Sequence, residues 1–207
     1  MVKIGVLVSG GGTNLQALLD AQDQGRLHSG QIALVVSSRA GAYALERAKQ
    51  HGVESATLAR KAFASQAEYD SAMVELLRCH DIDVVVLAGF LSVLGPAMVQ
   101  AFPNRILNVH PSLIPSFCGK GYYGLKVHEA AIEYGVKVSG ATVHFVEADV
   151  DAGAVIMQKT VPVEEDDTPE RLQARVLKIE HEILPLCVKL LCEGKIVKEG
   201  RRVRVSD

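Results

Sequence analysis

Short aliphatic runs alternate along this chain with longer stretches in which apolar positions recur every three or four residues. The runs Lys3–Ser9, Gln31–Ser37, Asp83–Gly89, Arg105–Val109, Lys137–Val146 and Ala154–Val163 are dense in Val, Ile and Leu and predict strands. Helical periodicity covers Asn14–Gln24, Ala42–His51, Gln66–His80, Leu125–Tyr134 and Pro169–Leu191. The last carries its own start signal in "DDTPERL": Thr168 as N-cap, Pro169 in the first helical position, and Glu170 in the first turn. The C-terminal "KIVKEGRRVRV" predicts a small hairpin around Glu199 and Gly200. Continuous β-branched runs separated by helices predict an α/β fold, a mostly parallel, doubly wound sheet covered on both faces, in a single domain.

In such a sheet, ligands collect beyond the carboxyl ends of the strands, so chemistry is sought just after each aliphatic run. After the first comes "SGGGTNLQALL". Gly10, Gly11 and Gly12 allow a tight turn, and the following helix presents unpaired N–H groups at Thr13, Asn14 and Leu15, an arrangement suited to an anion, most often phosphate. The third glycine of a dinucleotide fingerprint is missing, and no Lys-Ser/Thr follows as in a nucleotide P-loop. After the second run, Ser37, Ser38 and Arg39 stand where an acidic residue would grip a ribose, which excludes NAD and leaves NADP, through Arg39, as a weaker alternative. After Asp83–Gly89, the segment Leu91–Leu94 reads as a loop with backbone amides facing the same crevice, ended by Gly95 and Pro96.

The stretch "ILNVHPSLIPSF" ends a strand on two hydrogen-bonding side chains. Asn108 and His110 alternate with Leu107 and Val109, so strand geometry puts both on one side of the chain, at the ligand-binding rim. Asn offers a neutral donor for a carbonyl oxygen, and His a proton that moves near neutral pH. A carboxylate to orient the imidazole is available in "VHFVEADVDAGAVI", as Glu147, Asp149 or Asp151. Asp151 precedes Ala152 and Gly153, where the chain can turn back to the rim, though an Asx-turn contact explains it equally well on local sequence.

Composition narrows the class without choosing the reaction. With 207 residues, 48% apolar and no Trp, the chain suits one globular domain with an aliphatic core. A formal charge of −2 gives no reason to expect nucleic acid, and Arg201, Arg202 and Arg204 are too few for a basic face. The N-terminal "MVKIGVLVSG" reads as neither signal peptide nor membrane span, which points to a cytoplasmic protein. Cys79, Cys118, Cys187 and Cys192 lack CxxC spacing and predict reduced, mostly packed thiols rather than a metal site.

Taken together, "SGGGTNL", "DVVVLAGFLSVLGP", "ILNVHPSLIPSF", "GATVHFVEADVDAGAVI" and "EHEILP" resemble the phosphoribosylglycinamide formyltransferase family, the folate-dependent glycinamide ribonucleotide transformylases of purine synthesis. The resemblance implies a Rossmann-like formyltransferase fold and two small-molecule substrates, glycinamide ribonucleotide and 10-formyltetrahydrofolate, with no metal and no covalent enzyme intermediate. It sets the catalytic roles on Asn108, His110 and Asp151, the phosphate on Gly12, Thr13 and Asn14, and the ribose hydroxyls on Glu180. The pterin falls to Leu91, Ser92, Val93 and Leu94, with Asn108 and the turn Ala148, Asp149, Val150, Asp151, Ala152 and Gly153. Residues 1–100 then form a phosphate-binding half, and residues 101–207 a folate-binding and catalytic half. By this reading, Asp151 raises the pKa of a solvent-facing His110 and favours the imidazolium.

Three features depart from the family pattern. The segment "SFCGKGYYGLKVHEAA" is longer than its common form, Lys126 stands where a histidine is frequent, and Gln66 where a basic side chain often meets the folate tail. Other 10-formyltetrahydrofolate-dependent transferases would share the three catalytic residues but usually carry a further domain, and the related hydrolase usually has a regulatory domain before the first strand. Of different classes are a non-catalytic NADP-binding module and a hydrolase using Cys118 with His110; the latter lacks an oxyanion motif around the thiol.

Overall fold

Each strand and helix anticipated from periodicity forms, with ends displaced by at most two residues, in a computed structural model that describes residues 1–206. In chain order the elements are β1 (Val2–Val8), α1 (Thr13–Asp23), β2 (Gly30–Ser37), α2 (Tyr43–Gln50), β3 (Glu54–Thr57), α3 (Gln66–Cys79), β4 (Val84–Leu87) and α4 (Pro96–Ala101). They continue with β5 (Ile106–His110), α5 (Leu125–Tyr134), β6 (Val138–Phe145), β7 (Val155–Pro162), α6 (Pro169–Cys192), β8 (Ile196–Glu199) and β9 (Arg202–Val205). Thr168 caps α6 as its sequence indicates, its hydroxyl accepting from the Arg171 N–H at 3.3 Å.

The main sheet has seven strands in the order β3-β2-β1-β4-β5-β6-β7. Strands β1 to β5 pair in parallel, and the strand order reverses around β1, which lies between β2 and β4. That switch point brings the loops after β1 and β4 together at one end of the sheet, with the end of β5 alongside. Along β1, Ile4, Val6 and Val8 enter one core layer with α1 and α6, while Leu7 enters the other with α3 and α4. This is the two-sided burial expected of unbroken aliphatic runs.

The mostly parallel sheet expected from the sequence forms, and two parts of it differ from what periodicity alone shows. The strand β6 is antiparallel to β5 and β7 is antiparallel to β6, so the sheet is parallel only as far as β5. For β7 the physical reason is the connection: only a turn joins Phe145 to Val155, too short for the helical crossover that a parallel pair needs, whereas the connection from β5 to β6 carries α5 and sets no such limit. The second difference is the edge strand β3, "ESAT", which periodicity did not reveal. It joins β2 through backbone pairing while Glu54, Ser55 and Thr57 stay exposed, so it leaves no hydrophobic signature. Helix α4 was missed for its brevity, although Gly95 and Pro96 do stand at its N-cap and first position.

The four cysteines are free. Cys187 is buried, its thiol pushed up to about 12 by burial, but Cys79 is exposed, so packing is less general than anticipated. Among the described residues no helix is long and apolar enough to cross a membrane.

Candidate active site

Gly12 is the N-cap of α1 and lies in the left-handed region, φ 72° and ψ 36°, with no side chain capping the helix. First-turn N–H groups have no intrahelical acceptor, so this end is an open set of donors. The loop carbonyls point elsewhere: Gly10 O accepts from Ala44 N–H at 3.1 Å and Gly11 O from Arg47 Nε at 2.8 Å. A Cβ on Gly12 would lie 2.7 Å from Ala44 Cβ, whereas one on Gly11 would meet nothing within 4 Å. Close packing against α2 therefore demands glycine at position 12, while Gly10 and Gly11 border open space.

Thr13 is exposed and Asn14 buried. Asn14 Nδ2 donates to Glu180 Oε2 at 2.7 Å, joining α1 to α6, while its Oδ1 has no partner although it is buried. Burial pushes the Glu180 pKa up, and the Asn14 amide partly counters it.

The antiparallel register sets Asn108 of β5 opposite His144 of β6. Asn108 Nδ2 donates to His144 Nε2 at 3.1 Å and, more weakly, to Asp151 Oδ1 at 3.4 Å. His144 Nδ1 lies 2.7 Å from the Phe145 carbonyl and donates to it, and its Nε2 also lies 3.6 Å from Asp151 Oδ1. Asp151 takes a left-handed conformation, φ 54°. Its Oδ2 accepts from Gly119 N–H at 2.9 Å and lies 3.5 Å from His110 Nδ1. On its other side, His110 Nε2 donates to the Phe117 carbonyl at 2.9 Å.

His110 is 4% exposed, not solvent-facing. Burial lowers its pKa, and the opposing pull of Asp151 and the Phe117 carbonyl does not outweigh it. The ring is therefore neutral near neutral pH, which corrects the expected imidazolium. Burial also works against the Asp151 charge, but His144, His110 and the Gly119 N–H outweigh it and hold the carboxyl below its ordinary range. With Nε2–H committed to Phe117, the His110 Nδ1 lone pair faces a carboxylate, a place where an incoming proton would be stabilised.

Two segments flank this group. Leu91 N–H donates to Ser9 Oγ at 2.8 Å, and Ser9 Oγ lies 2.6 Å from Ser38 Oγ, so the Leu91 amide is engaged by the β1 end rather than turned to the crevice. Leu91 and Val93 expose 50% and 59% of their surface, Ser92 is half-buried, and Leu94 is buried. Across from them Ala148, Asp149 and Val150 are exposed, and Gly153 is buried where any Cβ would collide with the Phe145 carbonyl. Gln66 donates to the Val93 carbonyl at 3.1 Å, and Arg60 Nε donates to Gln66 Oε1 at 3.0 Å, so a guanidinium lies next to the position that lacks a basic residue.

Sequence reading missed four residues of this region. His144 stood out only as a polar residue in an apolar strand, and its role depends on the β5–β6 register. Arg47, which grips the glycine loop, and Arg60 look like ordinary helix and loop charges. His128 on α5 is buried, its pKa pushed down to about 4 by burial and by the nearby His110, and its Nδ1 has no partner. Among the described residues no group of three or more His, Cys, Asp or Glu is placed to hold a metal ion.

Residues 2–188 match the model of a family described as formyl transferase. The chain belongs to that family. It is 42% identical over 196 residues to the phosphoribosylglycinamide formyltransferase of Haemophilus influenzae, covering 95% of this chain and 90% of that one. Against the human trifunctional purine biosynthetic protein adenosine-3 it is 41% identical, covering 94% of this chain and 19% of that protein. Among solved structures, glycinamide ribonucleotide transformylase 1 from Symbiobacterium toebii superposes with a TM-score of 0.94 at 49% identity, covering all of this chain and 95% of that one.

Proposed function

We propose that this formyl transferase moves the formyl group of 10-formyltetrahydrofolate onto the amine of glycinamide ribonucleotide, the step of purine biosynthesis after which its relatives are named. The observation that carries the site assignment is the convergence of Asn108, His110 and Asp151, from two separate segments, through contacts of 3.4 and 3.5 Å at the carboxyl end of β5.

Gly12, Thr13 and Asn14 receive the phosphate on the first-turn N–H groups of α1. Glu180 and the unpartnered Asn14 Oδ1 accept from the ribose hydroxyls, which supplies the missing partner of a buried oxygen. The pterin lies between Leu91–Leu94 and the turn Ala148–Gly153, with Asn108 at its reactive end. The phosphate end draws mainly on residues 1–100 and the folate end on residues 101–207, with Glu180 and Leu91–Leu94 crossing between them. We place the enzyme in the cytoplasm.

As the amine attacks the formyl carbon, negative charge develops on the formyl oxygen. Asn108 meets it by exchanging its long 3.4 Å contact to Asp151 for the substrate oxygen, while the bond to His144 keeps the amide oriented. One such donor contributes about 2.7–4 kcal/mol in comparable sites. Neutral His110 takes the proton released by the attacking amine at Nδ1, and the Asp151 carboxylate stabilises the imidazolium. The same proton passes to the leaving nitrogen as its bond to the formyl carbon breaks, so atoms and charge balance without a covalent enzyme intermediate.

An ultraviolet assay for loss of the formyl-folate on addition of glycinamide ribonucleotide tests the assignment. Turnover with water or another amine, and none with this one, would overturn it. The phosphate loop has its own test. Gly12→Val is expected to misfold against Ala44, so Gly11→Val is the informative variant. It should raise the glycinamide ribonucleotide KM on the order of tenfold, with the folate KM little changed. Equal effects on both would remove the phosphate from this loop.

A further inference from the structure

We infer that the C-terminal hairpin β8–β9 is a positioning element of the active site, in which Arg201 and Lys198 hold the Glu147–Gly153 turn and so keep Asp151 seated between His110 and Asn108. The inference rests on the catalytic reading of Asp151 given above. In sequence the hairpin looks like a short polar appendix.

Asp151 is a non-glycine residue at φ 54°, a conformation that persists only where neighbouring contacts over-determine it. The bonds of its carboxylate to Asn108 and Gly119 hold the side chain but not the backbone that follows it. The next residue is held from outside: Arg201 Nη1 donates to the Ala152 carbonyl at 3.0 Å. At the other end of the turn, Lys198 Nζ pairs with Glu147 Oε1 at 2.9 Å. Glu147 in turn lies across the base of the turn, its Cγ 3.5 Å from where a Gly153 Cβ would stand. Both ends of the segment are thus tied to one hairpin.

A two-stranded hairpin is marginal alone, so it transmits constraint only if it is itself anchored. Ile196 and Val203 provide that anchor, half-buried against the main core. Basic residues at 198 and 201 therefore act at fixed points. Their partners are the Ala152 carbonyl and Glu147, not Asn108, His110 or Asp151, so they are positioning residues, not catalytic ones.

The experiment uses the full chain as wild type, Arg201→Ala, Arg201→Lys and Lys198→Ala. Backbone hydrogen exchange is measured first, without ligands. Exchange of the Ala152 amide, bonded to the Asp149 carbonyl, and of the Gly119 amide, bonded to Asp151 Oδ2, should quicken in both alanine variants while β5 and β6 stay protected. In steady-state kinetics, Arg201→Ala should lower kcat roughly three- to tenfold, as expected for loss of one charged hydrogen bond, and raise the 10-formyltetrahydrofolate KM. The glycinamide ribonucleotide KM should stay within about twofold, since the glycine loop is untouched. Arg201→Lys should recover part of the loss. A lower Tm with unchanged turn exchange and unchanged kinetic constants would reduce the hairpin to a stabilising appendix and overturn the inference, as would equal rises in both KM values. If Arg201→Ala does not fold, Lys198→Ala decides by the same readouts. Absence of turnover in the wild type would instead count against the proposed reaction, and the exchange measurement would still decide whether the hairpin holds the turn.

Discussion

Replacing His110 by Ala is expected to lower kcat by roughly 10²–10⁴, the range for loss of a positioned acid–base group. The ring sets Nδ1 3.5 Å from the Asp151 carboxylate while its Nε2 donates to the Phe117 carbonyl, so it can both take the amine proton and hold it as a stabilised cation. His144 is committed at both nitrogens, to Asn108 and to the Phe145 carbonyl. Because His110 is buried and bonded to the Phe117 carbonyl, the variant should also be less stable, by on the order of 1–3 kcal/mol for the oxygen left without its donor. Circular dichroism and thermal unfolding identify the temperature range in which the variant is folded, and kcat is measured there. Near-normal turnover would return His110 to a packing role.

Asp151→Asn should lower kcat by a comparable factor, roughly 10²–10⁴, for a different reason. Asn tolerates the left-handed backbone well, so the turn keeps φ near its present value and the change is chiefly loss of charge. The sign of the pH effect follows from the pair. Burial already lowers the His110 pKa, and Asp151 opposes that by favouring the cation. Removing the carboxylate therefore lowers the pKa further. The acid limb of kcat/KM, where His110 becomes unable to accept a proton, should move to lower pH, and a displacement of about one pH unit would represent about 1.4 kcal/mol of lost interaction. NMR titration of the His110 ring in both proteins separates this ionisation from others. An unchanged His110 titration would falsify the pairing, and unchanged titration with normal turnover would leave Asp151 a turn residue.

The local order of strands and helices was legible because periodicity depends on neighbours in the chain. So were the uncapped glycine loop, the Thr168 cap and the alternation that turns Asn108 and His110 the same way. What distinguished the three acidic candidates was tertiary. Glu147 is neutralised by Lys198, Asp149 stands in solvent, and only Asp151 turns inward to both Asn108 and His110. The same holds at the other end of the site, where Asn14 and Glu180 meet across most of the chain. Two properties depended on the fold alone. The antiparallel return of β6, which brings His144 against Asn108, comes after a long connection that carries α5 and is fixed by strand pairing in the sheet, not by any local signal. The neutral state of His110 follows from burial under the Phe117–Gly119 segment, because desolvation is set by every atom packed around the ring and not by the residues adjacent to it in sequence.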